Sequence, residues 1–191
     1  RFHATAERAF DYERAWFSAE RVNWPDLRDI DGINLLSGQP LPYRMAWCHG
    51  APGIALARLR AWLLTGDDRY RAEAITALDA TLVDVESMLA HGDGNYSLCH
   101  GLTGNAEVLM TGFQTLGLRS TSYRQAAMRV AETGARWFAG ANRPWPCGVA
   151  GGETPGLMLG MAGIGRFYLR LHNLDAVPSL LFPPSLIASF T

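Results

Sequence analysis

A Gly-x-x-Gly element occurs three times along this 191-residue chain, as Gly50-Ala51-Pro52-Gly53, Gly101-Leu102-Thr103-Gly104 and Gly160-Met161-Ala162-Gly163, at spacings of 51 and 59 residues. Repetition at such a period marks an array in which one supersecondary unit stacks on copies of itself. Each copy stands at or near the start of an apolar stretch, over 54–64, 106–116 and 157–171, that reads as a tightly packed inner helix. Glycines at these starts let backbones approach closely. Thr154-Pro155 reads as an N-cap followed by a proline at the first helical position.

A longer and more polar segment precedes each inner helix. In the second copy Tyr70, Ala74, Leu78, Leu82, Val85 and Leu89 fall at steps of three and four, which puts them on one stripe. The pattern predicts outer helices over about 3–19, 67–90 and 121–139, the last two ending at His91-Gly92 and Gly140. No stretch alternates with period two over β-branched residues, so at most short ribbons are expected, in the loops at 31–47 and 141–153. The class is therefore all-α, with three helical hairpins. Hairpins that hide one stripe each must stack, and the very apolar inner helices favour a ring with those helices on the axis. Ring closure takes about six or seven hairpins. The chain also starts at Arg1 and runs straight into a helical pattern. It is accordingly expected to be a fragment, about half of the domain.

Composition narrows the chemistry. Hydrophobic residues are 48% and charged residues 18%, below the roughly 25% charged that is usual for globular chains, so most of the chain is expected to be ordered and much of it buried. The net charge of −1 provides no basic footprint for nucleic acid and no polybasic patch for a membrane surface. All 17 basic residues are Arg; without Lys there is no Schiff-base lysine, no phosphate-loop lysine and no Ser-Lys pair. No apolar run reaches the ~18 residues of a membrane span. Three cysteines cannot pair evenly, which favours a reducing, cytoplasmic setting over a secreted disulfide scaffold.

Two of the three repeats carry a cysteine and a histidine just before the glycine element, in Trp47-Cys48-His49-Gly50 and Leu98-Cys99-His100-Gly101. Equivalent loops on adjacent hairpins lie side by side, so Cys48, Cys99 and His100 can converge across 51 residues. Two thiolates and an imidazole suit Zn²⁺, and three protein ligands with an open fourth position describe a catalytic site. Nearby helix N-termini favour the thiolate form. The competing reading has both cysteines as small apolar residues and His100 satisfied by backbone. His49 is open between a fourth ligand, an acid–base group and a polar neighbour. Cys147, in Trp145-Pro146-Cys147-Gly148, is read as a non-ligand, because its distance to Gly160 is longer than in the other copies. Glu107 and Asp93 are candidates for orienting ligands from behind. His3, His91 and His172 read as surface residues.

Four motifs together carry a family resemblance: Asn23-Trp24-Pro25-Asp26-Leu27-Arg28; Tyr43 through Trp47-Cys48-His49-Gly50-Ala51-Pro52-Gly53-Ile54; Cys99-His100-Gly101; and Thr154-Pro155-Gly156 through Gly160-Met161-Ala162-Gly163-Ile164-Gly165. The chain resembles the lanthionine synthetase C-like cyclases over essentially its whole length, 1–191. It looks most like the C-terminal part of the cyclase domain of a class II, bifunctional lanthipeptide synthetase. The resemblance implies an α,α-toroid, Zn²⁺ on Cys48, Cys99 and His100, and an active-site role for Arg44. A structural Arg bonding loop carbonyls is the alternative for that last residue.

The implied reaction is conjugate addition of a precursor peptide's cysteine thiol to dehydroalanine or dehydrobutyrine, closing a lanthionine or methyllanthionine ring. Implied partners are the dehydrated precursor peptide and an N-terminal dehydratase domain in the same polypeptide. In the family, an acid–base histidine and an aspartate come from an earlier hairpin, which would fall before Arg1. That leaves His49 as the local candidate for the proton donor, and the 191 residues alone are expected to bind zinc weakly and to cyclise poorly. Two other functions remain to be weighed: addition of a small thiol such as glutathione by a stand-alone enzyme of this fold, and a non-catalytic, zinc-stabilised helical scaffold. A helical-barrel glycosidase lacks its carboxylate pair at the repeat mouths.

Overall fold

The computed structural model describes residues 2–27, 40–92, 94–150 and 152–183. Six α-helices are present among them: α1 (Phe2–Ala15), α2 (Ala51–Thr65), α3 (Asp68–His91), α4 (Leu102–Leu116), α5 (Thr121–Gly134) and α6 (Met161–His172). No β-strand occurs among the described residues; only isolated bridges do, such as Pro25 to Tyr43 and Ala46 to His49. The loop at 141–153 forms no ribbon there and is held by single bonds, such as Tyr96 N–H to the Pro146 carbonyl. Part of the other expected ribbon, at 31–39, and Asp93 lie outside the described residues.

The helices form two rows. Helices α2, α4 and α6 touch in that order, and α3 packs on α5, so inner and outer helices alternate along the chain as expected of an α,α-toroid. The inner row holds the core. Leu102 through Gly112 of α4 are all buried, because this helix has α2, α3, α5 and α6 around it. Its buried polar residues, such as Asn105 and Glu107, have partners on neighbouring elements. Its neighbours contribute Ala55, Leu59, Leu78, Val85, Val130, Ile164 and Phe167 to the same cluster.

Local signals set the helix ends. The Asp67 side chain accepts the Arg69 N–H at the start of α3, and Gly66 and Gly92 close α2 and α3 in the left-handed conformation. Expected and observed bounds differ in every hairpin, with α2 and α4 beginning at Ala51 and Leu102 rather than at 54 and 106. Helix α1 stops at Ala15 rather than 19, because the chain turns back so that Ser18 and Asn23 pair. Helix α6 starts at Met161, not 157, and Thr154-Pro155 is not its cap. Instead the Thr154 carbonyl accepts the Met161 N–H at 2.8 Å, closing a turn ahead of the helix.

That turn is the repeated unit itself. A Cβ on Gly50, Gly101 or Gly160 would lie 2.0, 2.5 or 2.2 Å from the carbonyl oxygen of Arg44, Asn95 or Thr154, each six residues earlier. The second glycines repeat the relation: Gly53, Gly104 and Gly163 face the carbonyls of Trp47, Leu98 and Leu157 at 2.4, 2.0 and 2.0 Å. The glycines are thus required by a compact loop folded onto its own helix start. The expected close approach of backbones is met within each repeat.

Four charged side chains tie the first hairpin to the second. Arg58, fully buried on α2, donates through Nε to Glu73 of α3 at 2.5 Å and through Nη1 to Glu13 of α1 at 2.7 Å, with the Phe10 ring 4.1 Å beneath its guanidinium. Arg14 donates to the other oxygen of Glu73 at 2.6 Å.

A candidate metal centre at the mouths of two repeats

Cys48 and Cys99 occupy the same place in successive repeats, each two residues before the glycine that caps an inner helix. Stacking of the hairpins brings the two loops together: the Asn105 amide at the head of α4 donates to the Met45 carbonyl of the preceding loop at 2.9 Å. As a result one ligand atom from each of Cys48, Cys99 and His100 lies within 4.8 Å of the others. Cys48 and His100 are exposed and Cys99 is half-buried, so the group opens to solvent on one side. No disulfide joins any of the three cysteines.

The donor set fits a metal ion. Soft thiols and an imidazole match zinc better than they match a hard cation. His100 is also already oriented, because one ring nitrogen, Nε2, sits 3.0 Å from the Gly148 carbonyl oxygen. The alternative reading, with His100 satisfied by backbone, accounts for that nitrogen alone.

His49 stands outside this group. Its Nδ1 lies 3.5 Å from Oδ1 of Asp26, a carboxylate that is almost fully buried. Arg44 approaches the other oxygen of Asp26, Nε to Oδ2 3.6 Å, while its own side chain stays largely exposed. Asp26 therefore joins the two residues assigned to chemistry from the sequence, although it had no role of its own there. Its motif was visible; its direction was not. Asn23 organises the same corner. Its side-chain oxygen accepts the N–H groups of Trp24 and Ala51, both at 2.8 Å, and its amide donates to the Arg44 carbonyl at 3.1 Å. The Arg44 carbonyl is thus fixed by the loop, while its guanidinium faces Asp26.

Cys147 is buried and lies outside the ligand group. Glu107 does not orient a ligand. It pairs with Arg170 of α6, Nε to Oε2 3.2 Å, and accepts from Ser179 at 3.4 Å, all three residues being buried. Burial pushes the Glu107 carboxyl above its usual range, against the pull of Arg170. His3, His91 and His172 are exposed.

Fold and site together define a class: a two-row helical array that gathers two thiols and an imidazole at the open mouths of adjacent inner helices. The chain belongs to the lanthionine synthetase C-like family, whose model, described as "Lanthionine synthetase C-like protein", matches residues 1–182. It is also similar to the lacticin 481/lactococcin biosynthesis protein LcnDR2 of Lactococcus lactis subsp. lactis, at 28% identity over 150 residues. That match covers 75% of this chain and 15% of the relative, so the chain spans a small part of the relative's length.

Proposed function

We propose that the chain is part of the C-terminal cyclase domain of a lanthipeptide synthetase, and that it helps close thioether rings in a dehydrated precursor peptide. The convergence of Cys48, Cys99 and His100 carries this reading. Family membership and the biosynthetic role named for the Lactococcus relative support it. In the reaction a peptide cysteine sulfur bonds to the β-carbon of a dehydroamino acid, the π electrons move to the neighbouring carbonyl, and a proton is then added at the α-carbon.

When bound at these three residues, zinc supplies a Lewis acid that keeps the incoming thiol, ordinarily near pKa 8.5, in its nucleophilic thiolate form. The rest falls to side chains. Arg44 offsets negative charge that develops on the carbonyl oxygen, its exposed guanidinium reaching outward from the Asp26 anchor. His49, held at Nδ1 beside Asp26, keeps a proton for the α-carbon. The partners are the precursor peptide and, within the same polypeptide, an N-terminal dehydratase. None of the described helices is long and apolar enough to cross a membrane.

The test uses the whole synthetase polypeptide, its dehydrated peptide and mass spectrometry after thiol alkylation. Ring closure leaves the peptide mass unchanged and removes alkylatable thiols; Cys48→Ala or Cys99→Ala is expected to leave the thiols free. Persistent free thiols with the unaltered, zinc-loaded protein would overturn the proposal. Mass added by glutathione instead of loss of peptide thiols would mark the small-thiol reaction, and zinc binding with neither outcome would mark a scaffold.

A further inference from the structure

The third repeat contributes no ligand to the centre, yet its loops are bonded to the residues that do. Gly148 N–H donates to the Leu159 carbonyl at 2.8 Å, Cys99 N–H donates to the Met158 carbonyl at 2.8 Å, and Tyr96 N–H donates to the Pro146 carbonyl at 2.7 Å. The segment 145–148 therefore lies against the second Cys-His loop and is pinned to the turn before α6. Its point of contact with the centre is the Gly148 carbonyl oxygen, 3.0 Å from His100 Nε2.

We propose that Gly148 is a positioning residue for the metal centre: its carbonyl holds His100 as the Nε2–H tautomer, so that Nδ1 is presented to the ion between Cys48 and Cys99. Two observations carry this. A carbonyl oxygen only accepts, so the nitrogen facing it must carry the hydrogen, and in a neutral ring the lone pair is then on Nδ1. Space at Gly148 is also absent. A Cβ there would lie 2.9 Å from His100 Nε2, 2.7 Å from Ser97 Oγ and 2.9 Å from Ser97 Cβ. The Gly148 backbone is outside the left-handed region, so a side chain is excluded by the imidazole and by Ser97, not by conformation. Cys147 drew attention to this motif, whereas its neighbour touches the site. Partners of this kind fix ring orientation and tautomer, and their loss commonly costs metal affinity about 10–100-fold.

The inference rests on the metal-site reading above, and its test separates the two. The full chain, labelled with ¹⁵N at histidine and loaded with ¹¹³Cd, is expected to show metal coupling to Nδ1 of His100 and none to Nε2. Zinc competition against a chromophoric chelator is expected to show Gly148→Ala binding 10–100-fold more weakly than the unaltered chain. Gly156→Ala is the control in the same loop region, since nothing lies within 4 Å of a Cβ there, and it is expected to bind as tightly as the unaltered chain. Coupling through Nε2, or undiminished zinc affinity in a folded Gly148→Ala chain, would overturn the role of Gly148 while leaving the centre intact. All of these measurements use the whole polypeptide, and its failure to bind either ion would overturn the metal reading and this inference with it. The coupling experiment needs no substitution, so it decides the matter even if Gly148→Ala does not fold.

Discussion

Asp26 Oδ1 lies 3.5 Å from His49 Nδ1, and the Asp26 side chain is almost fully buried while the imidazole is only partly covered. The carboxylate is therefore fixed by its surroundings, and the imidazole is aligned on it. The other oxygen faces Arg44 at 3.6 Å, so one buried carboxyl lies beside both an imidazole and a guanidinium. Replacing Asp26 by Asn keeps the shape and removes the charge. In the whole synthetase, Asp26→Asn is expected to slow ring closure about 10²-fold, the usual range for a displaced acid–base group, with bound zinc unchanged. Alkylation-coupled mass spectrometry gives the rate and elemental analysis the zinc. Loss of zinc together with the rate would show Asp26 to be a support of the metal loop.

The repeated glycines predict a graded stability series. Gly104→Ala would place a Cβ 2.0 Å from the Leu98 carbonyl and can be accommodated only by opening the loop that carries Cys99 and His100. It is expected to destabilise the fold by about 2 kcal/mol or more, within the range of overpacking substitutions. Gly165→Ala, on α6 with nothing within 4 Å, should stabilise by up to about 1 kcal/mol through helix propensity. Urea titrations of both variants check the sign and the order. Equal effects would mean that the carbonyl contacts are not what requires glycine at 104.

The outer stripe beginning at Tyr70 and the apolar inner segments made the helical pairs readable, because period 3.6 survives in sequence as a local signal. The convergence of Cys48 with Cys99 and His100 was readable for a related reason: equal places in stacked repeats are neighbours in space. Asp26 and Gly148 were not. Asp26 meets His49 from 23 residues away and Arg44 from 18, Gly148 meets His100 from 48, and no periodicity records such contacts. Glu107 misled for a similar reason. A carboxylate one turn into α4 is near the site in sequence, but its partner is Arg170 on the next inner helix. The start of α6 was misplaced because Thr154-Pro155 looks like a cap, while the six-residue carbonyl contact that delays the helix has no local signature.

Arg58 should matter more than any other charge in the fold. It is wholly buried and bonded to Glu13 and Glu73; removing it takes the cation from Glu13, while Glu73 keeps Arg14. Arg58→Met preserves much of the apolar stem over Phe10 but not the charge. The expected loss is about 3 kcal/mol, as for a buried ion pair deprived of one partner. Adding Glu13→Gln to Arg58→Met should recover part of it, since the stranded charge is then gone. Chemical denaturation of the single and double variants measures the recovery; a double variant no more stable than the single would exclude stranded charge as the cause.

Asp84 gives the fold a pH dependence of definite sign. Its Oδ2 is buried without a hydrogen-bond partner, and burial raises the carboxyl from 3.8 to about 6. A carboxyl that is harder to ionise when folded favours the native state at low pH, where both states hold the proton. As pH rises from about 4, the unfolded chain ionises first and the native state loses ground, until Asp84 ionises in both states above about 6. The residue is partly open to solvent, so the penalty is screened to about 1–2 kcal/mol. Asp84→Asn removes it. The variant should therefore gain stability over the unaltered chain at pH 8 and much less at pH 4, as read from urea midpoints at the two values. An identical difference at both would show that ionisation of Asp84 is not the source.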